Sequence, residues 1–504
     1  MNNVIISLRN MMLMFTVCLL FLSASIPSSY CKKENKVIII GAGSSGIAAL
    51  SKLLENDIND VLVLEAESRI GGRINTVNFD GTIIELGAEW CHGEKNNTVY
   101  EILKERDLLD LLHRDEVPTQ MYLSSRQNIS EELSNELFQL TVDAYNVEYN
   151  GSTNESMASI VGKWYNQQIS TRYSNDKQKL EIFKWNSDFL RHVTLCLEGC
   201  FSWEDASYDS EYEDCEGYFT LGWGTHGYKI FLDVLTKKYP NIKESLPVED
   251  KIHFNKEVSM ISTNESDVFI VCSDNSTYQA NHVIFTPSLG VLKEKASTLF
   301  PQGLPSKKLL AIERIGMGAV MKVFLKYETK WWRDLPGFDL IWTENDRVLS
   351  KQYFPDGPTN TNGESWIVEM YNIVAVPDSN VLLVWFTGEL VPLIEKMDEK
   401  ILIKGIEYTL DKFFGHLFTI PRSQKLMRSN WYSSPHFRGT YSFSSVNSSV
   451  ADILSLQAPI INAKREPIVL FAGEATNPIH HATVHGAVES GFREADRLIE
   501  FLKK

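Results

Sequence analysis

The segment Val37–Arg73, VIIIGAGSSGIAALSKLLENDINDVLVLEAESRIGGR, holds the residues whose types and spacing point most directly to chemistry. Gly41, Gly43 and Gly46 form a GxGxxG run, and Glu65 closes the next apolar stretch. Phosphates are bound by free backbone N–H groups at a helix N-terminus, which requires backbone that can come close. Gly41 permits the tight turn, Gly43 lets backbone approach a pyrophosphate, and Gly46 lets a helix lie against a strand. An acid about 20 residues further on can accept both hydroxyls of a ribose, and Glu65 stands in that place. The chemistry predicted is the grip on a dinucleotide. The positioning elements are legible too. Val37 to Ile40 and Val61 to Leu64 read as short buried strands, and Ile47, Leu50, Leu53 and Leu54 recur at helical spacing between them.

The sequel, Arg69-Ile70-Gly71-Gly72-Arg73, narrows the ligand. Two glycines permit further backbone contact, and the Arg73 guanidinium can neutralise pyrophosphate charge. NAD-type units need no Gly-Gly-Arg there, whereas many flavoproteins carry one after the ribose-binding acid, so the cofactor expected is FAD. A second chemical candidate is Lys322, which interrupts the apolar run Ala319–Leu325, where an unpaired lysine is costly to bury.

The whole chain bounds these readings. Its 504 residues exceed one core at about 100–200 residues per domain. The net charge of −16 argues against nucleic acid and anionic membranes and suits a cationic substrate. An acidic cluster from Glu198 to Glu216 reads as a solvated loop. Arg9, the apolar run Met11–Leu22 and the small residues to Ser29 predict a signal peptide over residues 1–29, too short to span a membrane comfortably. Asn96, Asn128, Asn150, Asn154, Asn264, Asn275 and Asn447 each begin an Asn-X-Ser/Thr triplet, which supports a secreted or luminal protein without stable membrane association. Cys196, Cys200 and Cys215 lie close enough in sequence for one disulfide. Their spacing lacks a second ligand pair, so no metal is expected.

Along the chain, Glu85–Gly93 and the Gly473-Glu474 turn read as loops returning to the nucleotide, and Asp110 to Tyr218 reads as mainly helical and polar. Val258–Ile261, Val268–Cys272, Val283–Thr286, Val320–Tyr327, Leu382–Thr387 and Ile468–Phe471 read as strands, and a long amphipathic helix follows from Val484 to Leu502. The fold class expected is α/β: a Rossmann-like FAD domain interleaved with an α+β substrate domain built on a mixed sheet. The FAD domain would take residues 36–115, 221–300 and 425–504, and the substrate domain 116–220 and 301–424.

With GAGSSG, ESRIGGRI, GAEWCHG, FTPSLGVLK, GMGAVMKVFL, NWYSSPHFRGTYSF and FAGEATNPIHHATVHGAVESGFREA in view, the chain from Lys36 onward resembles the flavin-containing amine oxidases, of the polyamine or spermine oxidase type. The resemblance implies FAD contacts at Ser45, Glu65, Arg73, Glu89, Trp90, Val258, Glu474 and Thr483, with Gly72, Gly87, Ala88, Gly473 and Val484 beside them. It implies that Lys322 holds a water next to flavin N5, that Trp431 lies against flavin and lysine, and that His92 meets the reacting amine. Thr440 stands where some relatives have a flavin-bonding cysteine, which implies non-covalent FAD. Tyr441 and Thr483 would form a half-open substrate cage, and the stretch Pro478–His481 departs from the usual basic and aromatic pattern. The activity implied is oxidation of spermine, spermidine or N1-acetyl forms by hydride transfer to flavin, with O2 as acceptor and an aldehyde, a shorter amine and hydrogen peroxide as products. Two alternatives stay open: a secreted L-amino-acid oxidase, which needs a cation for the substrate carboxylate, and a non-catalytic FAD-containing binding protein.

Overall fold

The computed structural model describes residues 34–111, 120–149 and 154–503. The expected signal peptide and the triplet at Asn150 lie outside them. The strand Glu34–Ile40 runs through Gly41 into the first helix, Ser44–Glu55, and on to the strand Val61–Leu64. The two strands pair in parallel, Val37 opposite Val61 and Ile40 opposite Leu64. Every residue of Val61–Leu64 is buried, because helices cover both faces of a parallel sheet and leave no place for alternation.

Distant segments complete this sheet. Thr277–Phe285 lies parallel on the other side of the first strand, and Pro467–Phe471 lies parallel beyond it. Val258–Thr263 and Val268–Cys272 extend it as an antiparallel pair. The last helix, Val484–Leu502, packs on the first. A Cβ at Gly491 would come within 2.2 Å of the Ser45 carbonyl oxygen, so glycine sets how closely the helices approach.

The second sheet has six strands in the order Lys425–Arg428, Met321–Lys326, Val381–Phe386, Met370–Ala375, Gly337–Ile341 and Gln120–Leu123. All pairs are antiparallel except the last, where Gly337–Ile341 runs parallel to Gln120–Leu123. Two details differ from the sequence reading. Lys425–Arg428 pairs into this second sheet, although a boundary was expected just before it. The stretch from Asp110 to Tyr218 supplies a strand as well as helices, and its helices bury Phe183, Phe189, Leu190 and Leu195 rather than being polar throughout. Among the described residues, no helix is long and apolar enough to cross a membrane.

Candidate active site

One cavity of about 1340 Å³ is lined by residues of both sheets. Single small-molecule sites usually span roughly 300–1,000 Å³, so this space suits a dinucleotide together with a substrate.

At the nucleotide end the wall is backbone. Gly41 has φ +98°, a region that disfavours side chains. A Cβ on Gly46 would sit 2.0 Å from the Gly41 carbonyl oxygen, which is why helix and turn can pack here only through glycine. A Cβ on Gly43 would meet nothing nearer than the Gly72 Cα at 3.9 Å and would fill the cavity instead. The first helix has no side-chain cap and no acid in its first turn, which leaves its N–H groups for an anion. Ser45 lines the cavity there, although its hydroxyl lies 3.1 Å from that of Ser490. Glu65 is buried, and its two oxygens accept from Ala42 N (2.6 Å) and Glu67 N (2.7 Å), which orient the carboxylate. Burial holds its pKa above the usual carboxylate value. Val258 lines the same end.

Arg73 does more than face a phosphate. Its Nη1 donates to the Thr440 carbonyl (2.8 Å) and to Glu474 Oε1 (2.9 Å). Glu474 is enclosed, accepts also from Ser442 Oγ (2.6 Å) and Ala482 N (2.9 Å), and is held below the usual carboxylate range by these partners against burial. The pair joins the first and last blocks at the cavity wall, beside Gly473 with φ +110°.

At the junction of the sheets stands Lys322, only 4 % exposed. Its Nζ donates to Glu85 O (3.1 Å), Gly87 O (2.9 Å) and Glu89 Oε2 (2.7 Å), and lies 4.8 Å from the Trp385 ring centroid. It is therefore a buried, paired lysine and not a solvent-facing edge residue. All three of its N–H donors are engaged, so holding a water requires one partner to give way. Trp431 Nε1 donates to Leu86 O (2.8 Å), so Lys322 and Trp431 grip the same Glu85–Glu89 segment from two sides. Gly87 is needed there, since a Cβ would lie 1.9 Å from the Arg73 carbonyl oxygen. Ala88 and Glu89 line the cavity next to it. Trp90 stacks on Trp385 at 6.2 Å, and its buried Nε1 has no hydrogen-bond partner among the described residues.

His92 sits on the cavity wall with Nδ1 2.8 Å from the Phe219 carbonyl. A carbonyl only accepts, so Nδ1 carries the proton and Nε2 keeps its lone pair in the neutral ring. Burial pushes this imidazole below its ordinary pKa.

The remaining wall is made of side chains. The helices Glu131–Tyr145 and Lys177–Glu198 contribute Phe138, Tyr145, Phe189 and Glu198. Tyr145 donates to Glu198 Oε1 (2.8 Å), and burial pushes the Glu198 carboxyl up to about 7. Asp214 and Glu216 line the cavity as well. Of the acidic cluster, Glu198, Asp214 and Glu216 thus line the site, a placement that only long-range packing creates, while Glu204, Asp205, Asp209, Glu211 and Glu213 are exposed as expected of a solvated loop.

Tyr441 and Thr483 line the cavity, with hydroxyls that serve the protein, and the expected disulfide is absent among the described residues. The Tyr441 hydroxyl donates to the Cys196 carbonyl and is committed to the protein. The Thr483 hydroxyl caps the last helix, accepting from Gly486 N (2.9 Å) and donating to His480 O (2.7 Å), so Thr483 and Val484 present backbone and methyl groups to the cavity. Cys196, Cys200 and Cys215 are free thiols. Cys196 is hydrogen-bonded with the Tyr371 hydroxyl, Cys200 is buried, and Cys215 faces two histidines, so proximity in sequence does not become a disulfide. Sequence reasoning also missed Trp385, Tyr371 and Phe189 in the wall. Trp385 sits in the run Leu382–Thr387 read as a strand, but nothing in that run distinguishes a cavity face from a core face.

Fold and cradle define a flavoprotein with a dinucleotide site on one sheet and a substrate sheet facing it. Residues 44–499 match the family described as flavin containing amine oxidoreductase, and the chain belongs to that family. Its cofactor is accordingly a flavin, and the glycine cradle with Glu65 fits FAD. The human peroxisomal N(1)-acetyl-spermine/spermidine oxidase is 28% identical over 92% of this chain and 94% of that protein. The Arabidopsis thaliana probable polyamine oxidase 5 is 29% identical over 94% of this chain and 99% of its own length. A solved putrescine oxidase, redesigned in its cofactor binding, has the same fold, with a TM-score of 0.59 at 17% identity over 93% of this chain and 99% of that one.

Proposed function

We propose that this protein oxidises polyamines, such as spermine, spermidine or their N1-acetyl forms. The observation that carries the reading is the charge of the substrate wall. Glu148, Glu198 and Asp214 line it together with Glu216, which Lys95 pairs, and Arg73 is the only arginine among the described residues around the cavity, already paired with Glu474. A chain of ammonium groups is complementary to such a wall, whereas an amino-acid carboxylate finds no free guanidinium there. Arg438, the one arginine of the NWYSSPHFRGTYSF stretch, pairs with Glu294 instead.

Bound FAD supplies a hydride acceptor for the carbon next to the reacting nitrogen and an electron path to O2. The protein's residues do the rest. Acidic side chains draw the substrate in by its charge, and the Phe189, Tyr371 and Trp385 rings exclude water along the methylene chain. His92 presents its Nε2 lone pair to an amine N–H, which favours a nitrogen with its own lone pair free for hydride loss. Lys322 and Trp431 fix the Glu85–Glu89 loop, and Lys322 positions a water when Glu89 or a carbonyl releases it. The iminium product then takes up water to give an aldehyde and a shorter amine. FAD is held non-covalently, since Thr440 has no thiol and its Oγ1 accepts from Val320 N (2.9 Å). The protein acts in the secretory lumen or outside the cell, a reading supported by the exposure of Asn96, Asn128, Asn154, Asn264, Asn275 and Asn447.

The test is hydrogen peroxide release by the flavin-loaded protein with spermine, spermidine and their N1-acetyl derivatives, alongside leucine and phenylalanine. Turnover of at least one polyamine is expected. Silence on all of them, with flavin present, removes the assignment, and turnover of the amino acids alone replaces it with the amino-acid oxidase.

A further inference from the structure

Cys215, His480 and His485 take no part in the reaction described, yet their donor atoms converge. We propose that they form a binding site for a zinc ion in the cavity wall. The three donor atoms lie within 4.8 Å of one another. Cys215 Sγ is 3.9 Å from His480 Nε2 and 3.7 Å from His485 Nε2. Tetrahedral zinc, with bonds of roughly 2.3 Å to sulfur and 2.0–2.1 Å to nitrogen, sets sulfur and nitrogen about 3.6 Å apart. Both sulfur–nitrogen contacts need to close by only a few tenths of an ångström, and the two imidazole nitrogens, within 4.8 Å of each other, would draw in toward the roughly 3.4 Å that tetrahedral zinc sets. The thiol proton can serve only one of the two ring nitrogens, so the other contact is either a weak N–H···S bond from His485 or a place for an ion between them.

Backbone geometry builds the cluster. Glu213 N donates to Ile479 O (2.9 Å), which lays the Cys215 loop against the stretch before the last helix. The chain then turns so tightly that a Cβ on Gly486 would lie 1.8 Å from the His480 carbonyl oxygen. This turn brings the two imidazoles to 4.8 Å between centroids. His480 Nδ1 is 2.9 Å from Glu489 Oε2, so its Nδ1–H donates to the carboxylate and its Nε2 lone pair faces the sulfur. Glu489 is itself held by Asn477 Nδ2 (2.7 Å) and Thr98 Oγ1 (2.9 Å). A carboxylate orienting a histidine in this way is the usual support of a ligating imidazole.

The donor set chooses the ion. Thiolate with imidazole suits zinc, whereas magnesium and calcium take oxygen ligands. Both histidines are buried and Cys215 lines the cavity, so three protein ligands hold the ion and the fourth position opens toward the cavity. The proposal does not depend on which amine is oxidised.

The experiment is calorimetric titration of chelator-treated, flavin-loaded protein with Zn2+ alone. One ion per chain is expected, with micromolar or tighter affinity. Cys215→Ser and His485→Gln should each weaken binding at least 100-fold, and Glu489→Gln about 10-fold, while Cys272→Ser leaves it unchanged. Flavin absorbance reports whether each variant is folded. In the unaltered protein, Zn2+ should also slow alkylation of Cys215 by iodoacetamide, read by mass spectrometry of its peptide. Equal alkylation with and without zinc, or unchanged affinity in folded Cys215→Ser, overturns the proposal.

Discussion

The two ends of the cavity are built from different material. The nucleotide end is backbone: Gly41, Gly43, Gly71 and Gly72 bring main-chain atoms to the surface, Gly46 lets the helix pack behind them, and the Glu65 side chain lines the same end. The substrate end is side chain: rings and carboxyls from two helices, a strand and a loop far apart in sequence. Backbone contact admits few sequences, because a Cβ either clashes or blocks the ligand. A wall of rings and acids can be assembled from many. The first is therefore rigid in sequence and general in chemistry, and the second is the reverse.

The sharpest way to break this contrast is at the glycines. Gly46→Ala places a Cβ 2.0 Å from backbone that cannot swing aside, so loss of flavin and of folded protein is expected. Gly43→Ala meets only open cavity, so its melting temperature should stay near wild type while flavin affinity falls tenfold or more. Thermal melts with flavin retention measure both, and identical behaviour of the two variants would refute the idea of a backbone cradle.

A smaller effect is expected at the boundary between the ends. Lys322→Met keeps the aliphatic stem but removes the hydrogen bonds to Glu85, Gly87 and Glu89. Flavin should remain bound while turnover drops at least tenfold, a barrier increase of about 1.4 kcal/mol or more. Stopped-flow rates for both half-reactions decide it. Wild-type rates in both would make the lysine a purely architectural residue.

The mildest change belongs to the side-chain wall. Glu198, raised to about 7 by burial, is neutral in mild acid and charged in mild alkali. KM for a polycation should improve as pH rises through about 7 in the wild type, and Glu198→Gln should lose that limb and raise KM several-fold at alkaline pH with kcat nearly unchanged. Stability runs the other way. A carboxyl with a folded pKa above its unfolded 4.5 binds its proton more tightly when folded, so its contribution weakens as pH rises from 4.5 toward 7 and is a net cost above. The glutamine variant should be the more stable protein at pH 8, by on the order of 1 kcal/mol, and lose that advantage near pH 5.

The same contrast explains what the sequence disclosed. The cradle was legible because its strand, turn, helix and acid are contiguous and each has a steric reason. Lys322 was legible as an anomaly, a charge inside an apolar run. The place of Glu198, Asp214 and Glu216 in the cavity wall was not, because nothing local says whether a carboxylate faces bulk water or a cavity. Tyr441 and Thr483 line the cavity, but their hydroxyls serve Cys196 and the helix cap, partners set by tertiary packing. The Cys215–His480–His485 convergence was invisible for the same reason, since 265 residues separate the cysteine from its nearer histidine in sequence.

The packing of the last helix on the first also has a consequence in time. Ser45 and Ser490 face each other across 445 residues. A ribosome adding about 5–20 residues per second needs on the order of 20–90 s to travel that far. Throughout that interval the first helix exists without the helix that covers it, and Ser45, Ala48 and Lys52 lack the Ser490, Gly491 and Asp496 that they meet in the finished fold. The cofactor domain begins first and finishes last, so a nascent chain leaves one face of its first helix uncovered until the last helix emerges.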